Sequence, residues 1–344
     1  MTPAELSHTV LRAVRRAVDD GELGAGAGEL GAARIVVERP RPGGHGDYAT
    51  NVALQLAAPA GRPPRQVAEI LSRRLADSPG IAAVDVTGPG FLNFTFSARD
   101  PHAADLLRSI RAAGLAYGHG GALRGHRVDL RIPHEPRAEI LADAVARIGR
   151  SQGAEVEVAY AEEPGEVTYR PVPGDPDPRG LGADAGRWAL LHPAAHDRPR
   201  TESVEDRAGH LAQRESNPLF RVRYAHARTR ALTRNAADLG FASTPGEFAA
   251  VDDEHPHHLV ATLTDHPRIL LTAARHRAPD RLARHLVDVA DAFLADVRVC
   301  VGALPKGEEK PSAAHRARLA LAEATGTVLA GGLSLLGIDA PAHL

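Results

Sequence analysis

Apolar positions recur every three or four residues over most of the chain and alternate with polar ones in a few short stretches. The pattern therefore predicts many helices and few strands. Leu6, Val10, Val14 and Val18 share one side of a helix running to about Asp20. Thr2-Pro3-Ala4-Glu5 offers it a capping box with proline at the first helical position. A glycine-rich break follows, then the β-branched run Ala33 to Glu38, which reads as a strand. A Pro/Gly loop through Tyr48 leads into a helix with Val52, Leu54 and Leu56, and a second helix covers Arg65 to Leu75. Ile81 to Val86 and Phe91 to Phe96 read as strands joined by a Gly-Pro-Gly turn.

Pro101 to Ala116 has the pattern of a connecting helix. After it, Arg127 to Ile132 predicts a strand, Glu135 to Arg150 a helix with Ile140, Leu141, Ala144, Val145 and Ile148 inward, and Ala154 to Tyr160 another strand. Pro171 to Gly180 is a rigid Pro/Gly linker. The remainder is helical. Arg214 to Asn235 buries a stripe of Val222, Ala225, Thr229, Leu232 and Ala236, with Asn217-Pro218 as N-cap and first helical position. Helices over Pro256 to Thr264 and Pro267 to Ala278 come next, then one from Pro279 with Leu282, Leu286, Val289 and Phe293 on one side. The last runs from Ala313 to about Leu336, closed by Gly337 with Pro341 beyond.

A chain of 344 residues forms two or three domains of ordinary size. Only 4% of residues are aromatic, so the cores must be built from Ala, Val and Leu, and an aromatic on a polar face carries more meaning. The formal charge is −2, so any nucleic-acid surface must be local. A single cysteine, Cys300, excludes an intramolecular disulfide framework and a thiolate metal cluster, and a reducing cytoplasm fits. There is no run of 18 consecutive apolar residues and no signal-peptide pattern at the start, so no membrane partner is expected.

The helix from Arg214 is the main functional handle. It sets Arg221, Tyr224 and Arg228 on one face and Arg223, Arg230 and Arg234 on another, a pairing of guanidinium forks with an aromatic ring that suits single-stranded RNA. Its plain alternative is a surface paired with acidic neighbours. Strand alternation puts Phe91 and Asn93 on one face, where the ring could stack on an unpaired base and the amide read its edge. The alternative there is a core Phe and a turn Asn. His45 and Asp47 have no nucleophile nearby in sequence and read as structural. His255, His257 and His258 fit no standard metal spacing, so neither a metal nor a cofactor is expected.

Stretches in two parts of the chain resemble arginyl-tRNA synthetases. HGDYATNVALQLA (His45 to Ala57) and GPGFLNF (Gly88 to Phe94) are similar to the family's amino-terminal domain, and YAHAR (Tyr224 to Arg228) after an NP turn to its helical anticodon-binding bundle. The resemblance implies a multidomain α+β protein. An α+β domain would cover residues 1–100. A connecting helix, a short βαβ remnant of a nucleotide-binding domain and a linker would cover 101–180, and an all-α bundle 181–344. It implies further that Phe91 and Asn93 receive a base of the tRNA D-loop and that Tyr224 and Arg228 contact the anticodon loop. Arg221 stands where the family usually has a second aromatic, and Leu344 where a terminal Met closes the anticodon site. DVRVC (Asp296 to Cys300) replaces an aromatic-bearing FYxxC element. ADAVAR (Ala142 to Arg147) is similar to the end of the family's first signature helix. The ATP-binding His-x-Gly-His signature would then fall on Ile132 to Glu135, which reads IPHE, and the linker has no lysine where the second ATP signature belongs. The expectation is a catalytically inactive protein that binds tRNA, an arginine tRNA foremost, in a regulatory or adaptor role. Two other readings stay open: arginine–tRNA ligase activity completed by a partner subunit, and a scaffold that binds other proteins.

Overall fold

The computed structural model describes residues 3–29, 35, 37–38, 46, 48–76, 78, 81–96, 101–174, 178–245 and 257–344. Thr2, His45, Asp47, His255 and the linker residues 175–177 lie outside these, and with them the expectations placed there. The chain divides into two compact units, residues 1–104 with 247–261 and residues 105–246 with 262–344.

In the first unit, α1 (Pro3–Asp19), α2 (Val52–Ala60) and α3 (Pro64–Ala76) pack with an antiparallel sheet of β1 (Val37–Glu38), β2 (Tyr48–Thr50), β3 (Ile81–Thr87) and β4 (Phe91–Phe96). Strand order is β1-β2-β4-β3, so β4 lies inside the sheet between Ala49 and Asp85 at Asn93. Leu6, Val10, Val14, Val52, Leu56, Leu71, Leu92 and Phe94 are fully or almost fully buried and form the core. β2 corrects the expectation of a loop through Tyr48: Tyr48 is buried opposite Phe94. Gly46, at φ 88, lies so close to β4 that a Cβ would stand 2.8 Å from the Phe94 carbonyl oxygen. The β3–β4 turn needs glycine too, because a Cβ on Gly90 (φ 142) would lie 3.0 Å from the carbonyl oxygen of Pro64.

Helix α4 (Pro101–Ala113) leads on to β5 (Arg127–Ile132), α5 (Pro136–Ser151) and β6 (Glu155–Tyr160). β5 and β6 pair in parallel as a two-stranded sheet. The helices that follow are α6 (Ala183–Leu191), α7 (Val204–Leu211), α8 (Pro218–Asp238), α9 (His257–His276), α10 (Pro279–Ala295), α11 (Val297–Cys300) and α12 (Ala313–Leu336). α8, α10 and α12 pack on one another, and α5 packs against α6, α10 and α12. α12 is long and apolar enough to cross a membrane, but 72% of its apolar window is buried in the protein, so it is a core helix. Gly337 caps it at φ 71, and Ser312 and His315 cap its start reciprocally.

α9 corrects the expectation of two helices separated at Pro267. Proline removes the amide that would bond the Leu263 carbonyl one turn back. The hydroxyl of Tyr117 donates to that carbonyl at 3.3 Å, and the helix continues.

Candidate nucleic-acid interface

In the amino-terminal unit, Phe91 opens β4 beside the Gly88-Pro89-Gly90 turn with 40% of its surface exposed, an aromatic ring available for stacking. Asn93 differs from expectation. It is only 5% exposed, and its amide nitrogen donates to the Thr87 hydroxyl at 2.6 Å, because residue 93 sits mid-sheet and Thr87 opposes Phe91 across the β3–β4 ladder. Its carbonyl oxygen remains without a partner among the described residues. Asn93 therefore offers one acceptor and not a free amide.

The second part of the interface is α8. Asn217 caps it, accepting from the Leu219 amide at 3.1 Å, with Pro218 at the first position, and Val222, Ala225, Thr229, Leu232 and Ala236 are buried as the periodicity requires. At 100° per residue, Arg221, Arg228, Tyr224, Phe220 and Arg223 follow one another around the exposed arc. The arginines of that arc are engaged within the protein. Arg221 faces Asp291 of α10 at 3.4 Å, and Arg228 donates from Nε and Nη2 to the Cys300 carbonyl at 3.1 and 3.0 Å. Arg223 pairs with Asp184 and donates to the Asp339 carbonyl at 3.2 Å. Arg234 donates to the Ala342 carbonyl at 3.3 Å. Between them, the Nδ1 of His226 donates to the Pro341 carbonyl at 2.9 Å, while burial pulls the ring's pKa down and favours the neutral form. Arg223, His226 and Arg234 thus strap residues 339–342 along α8. This favours the plain alternative, a surface paired within the protein: Arg230 is the one arginine of α8 without a partner among the described residues.

The strapped segment carries Leu344 to the rim of a hollow of about 350 Å³, lined by Leu181, Asp184, His210, Phe220 and Arg223 among others. Tyr224, 45% exposed, stacks on Phe220 with ring centroids 5.7 Å apart and planes 16° from parallel. Phe220 was missed in the sequence, although its spacing of four from Tyr224 is the signal of a shared helix face. It gives this face the second aromatic that Arg221 does not. The structure thus brings Arg223, Leu344, Phe220 and Tyr224 together and turns Arg221 and Arg228 toward α10 and α11. The arrangement can stack a base, with Arg230 the nearest free cation by sequence.

A different picture holds at the start of α5. Arg137 is fully buried and donates to the carbonyls of Val172, Leu190, Pro193, Ala194 and Asp197 at 2.6 to 3.3 Å. Burial lowers its pKa, and Glu135 leads the charges that oppose the shift. Glu135 accepts from the Ala138 amide at 2.8 Å and from the Gly174 amide at 3.2 Å. Of the amides in the first turn of α5, that of Ala138 is therefore capped by Glu135, and the Glu135 carboxylate puts a negative charge where a bound phosphate would lie. Among the described residues no cluster of His, Cys, Asp or Glu could hold a metal ion.

The first unit is thus α+β with an exposed aromatic on a strand, and the second holds a helical bundle with an aromatic pair on α8. Residues 4–96 match the arginyl tRNA synthetase N terminal domain, and residues 222–344 the DALR anticodon binding domain. The chain is 27% identical to the arginine–tRNA ligase of Frankia alni, covering all of both proteins. That alignment runs over 559 positions against 344 residues here, so the relative has long stretches without a counterpart. It is 45% identical to the arginine–tRNA ligase of Micrococcus luteus over 171 residues, 46% of this chain and 30% of that protein. Among solved structures, arginyl-tRNA synthetases from Thermus thermophilus (TM-score 0.65, 15% identity) and Plasmodium falciparum (TM-score 0.67, 9% identity) share the fold, each covered in full along with this chain. The chain is an arginyl-tRNA synthetase-like protein with that family's N-terminal and DALR domains.

Proposed function

We propose that this is a catalytically inactive arginyl-tRNA synthetase-like protein that binds tRNA, an arginine tRNA foremost, in a regulatory or adaptor role in the cytoplasm. The observation that carries the reading is Arg137. Transfer of an amino acid through an adenylate needs donors held open around phosphates. Here the residues at the expected signature, Ile132 to Glu135, run into a helix start where the Arg137 side chain is spent on carbonyls of residues 172–197 and Glu135 caps the helix and binds the Gly174 amide. A single strand–helix–strand unit supports the same reading. Its face away from α5 carries Arg127 paired with Glu157 and Arg131 paired with Asp129, which suits water better than a further layer of helices. Phe91, Tyr224, Phe220 and Arg230 support RNA binding by stacking and by charge.

Gel-shift titration of the whole chain at several salt concentrations tests this. The expected result is a clear preference for tRNA over unstructured RNA of equal charge. Equal affinity for both would leave only counterion release and refute specific tRNA binding.

A further inference from the structure

The two edges of the β5–β6 sheet are treated differently. The bonds from the Glu155 amide to the His126 carbonyl and from the Ala161 amide to the Ile132 carbonyl, both 2.9 Å, fix which main-chain groups of β6 face β5. They are those of the odd-numbered residues, so Val156, Val158 and Tyr160 turn theirs outward. On the far side of β5, Thr168 covers the edge, its hydroxyl donating to the Asp129 carbonyl at 3.1 Å and its amide to the Arg131 carbonyl at 3.0 Å. On β6 only the Val156 carbonyl is covered, by Arg150 at 2.7 Å. The amides and carbonyls of Val158 and Tyr160 have no partner among the described residues, and natural sheets rarely leave such a template unprotected.

The side chains along this edge are partly apolar. Val158 is 37% and Tyr160 45% exposed. Tyr160 is held in place: its ring stacks on His134 at 3.9 Å and its hydroxyl donates to Glu139 at 3.0 Å. The charge is one-sided. From Glu155 to Glu166 the chain has Glu155, Glu157, Glu162, Glu163 and Glu166 and no Lys or Arg. Arg127 neutralises part of Glu157, and Arg170 reaches the Pro164 carbonyl, but the excess stays acidic. Such an edge repels a phosphate backbone. It also repels a second copy of itself, since β6 against β6 sets glutamates beside glutamates.

We propose that the open edge of β6 is a docking strand for an extended basic segment of a partner protein. The segment would pair its main chain with Val158 and Tyr160, lay apolar residues beside them, and set arginines against the glutamates and the Tyr160 ring. This is independent of RNA binding and would make the chain a bridge between a tRNA and a protein.

The test uses the whole chain and a labelled, end-blocked nine-residue peptide of alternating arginine and valine, followed by fluorescence anisotropy. The expected result is saturable binding, weakened at least about tenfold when alternate peptide amides are methylated or when glutamate replaces arginine. Val158→Pro should weaken it comparably without unfolding the protein, since that amide makes no ladder bond. Independently of any variant, hydrogen exchange at the Val158 and Tyr160 amides should slow when the peptide binds. Any of four results would overturn the proposal: no binding at millimolar peptide, equal binding of the methylated peptide, unchanged exchange at both amides, or equal slowing of exchange at both amides by oligouridylate added without peptide.

Discussion

Replacing Arg137 by Met removes the buried cation on which five carbonyls of residues 172–197 converge, and the size of the loss follows from its contacts. Five carbonyls converge on one guanidinium. A bond to a charged group contributes about 1.5–3 kcal/mol, but five acceptors sharing one cation do not each receive that amount. Burying the guanidinium also costs several kcal/mol, which the bonds must first offset. Removing the donor while the carbonyls stay buried should leave a net loss of about 4 kcal/mol. Trp188, the chain's single tryptophan, reports it well, being buried on α6 and stacked on His192 at 5.3 Å. In urea, its fluorescence transition should move down by about 1.5 M. Arg137→Lys should recover little, because an ammonium cannot reproduce the planar fork. A loss below about 1 kcal/mol in the Met variant would refute the reasoning, since it would mean the carbonyls find water as readily as they found arginine.

Other outcomes follow from the same contacts. His266 is almost fully buried beside Tyr117 and His285, and burial, with His119 adding to it, lowers its pKa to about 4. The unfolded chain therefore takes the proton first as pH falls, so stability present above pH ~6.5 should drop by about 3 kcal/mol on the way to pH ~4. His192 and His226, also lowered by burial, act in the same direction. Thermal midpoints across that range check the sign, and a His266→Leu variant should flatten the dependence. Phe91→Ala and Tyr224→Ala should each weaken tRNA binding by about 1–3 kcal/mol with the salt slope unchanged. A loss of fold in either variant would argue for a core role instead. Arg230→Ala should lower the salt slope by about one and reduce affinity for most RNAs alike, whereas Arg228→Ala should chiefly destabilise the Cys300 end of α11.

The sequence shows best what is local and periodic. The buried stripe of α8, its Asn217-Pro218 start, the β3–β4 hairpin and the Gly337 cap are each written within a few neighbouring residues. What it hides is settled by residues far along the chain. Pro267 reads as a break until Tyr117, on another segment, supplies the missing donor to Leu263. Which groups the arginines of α8 pair with is not legible because Asp184, Asp291, Cys300 and Asp339 are distant in sequence. Asn93 reads as a free amide until β3 brings Thr87 alongside, and β2 is too short for its alternation to register. Arg137 shows no sign in its own helix of the five carbonyls that surround it.

Arginine-dependent exchange of pyrophosphate into ATP by the purified chain tests most directly the claim that its synthetase-like fold no longer activates an amino acid. With Arg137 turned inward and Glu135 at the start of α5, no exchange above background is expected, with or without tRNA present. Exchange that rises with added arginine would contradict it.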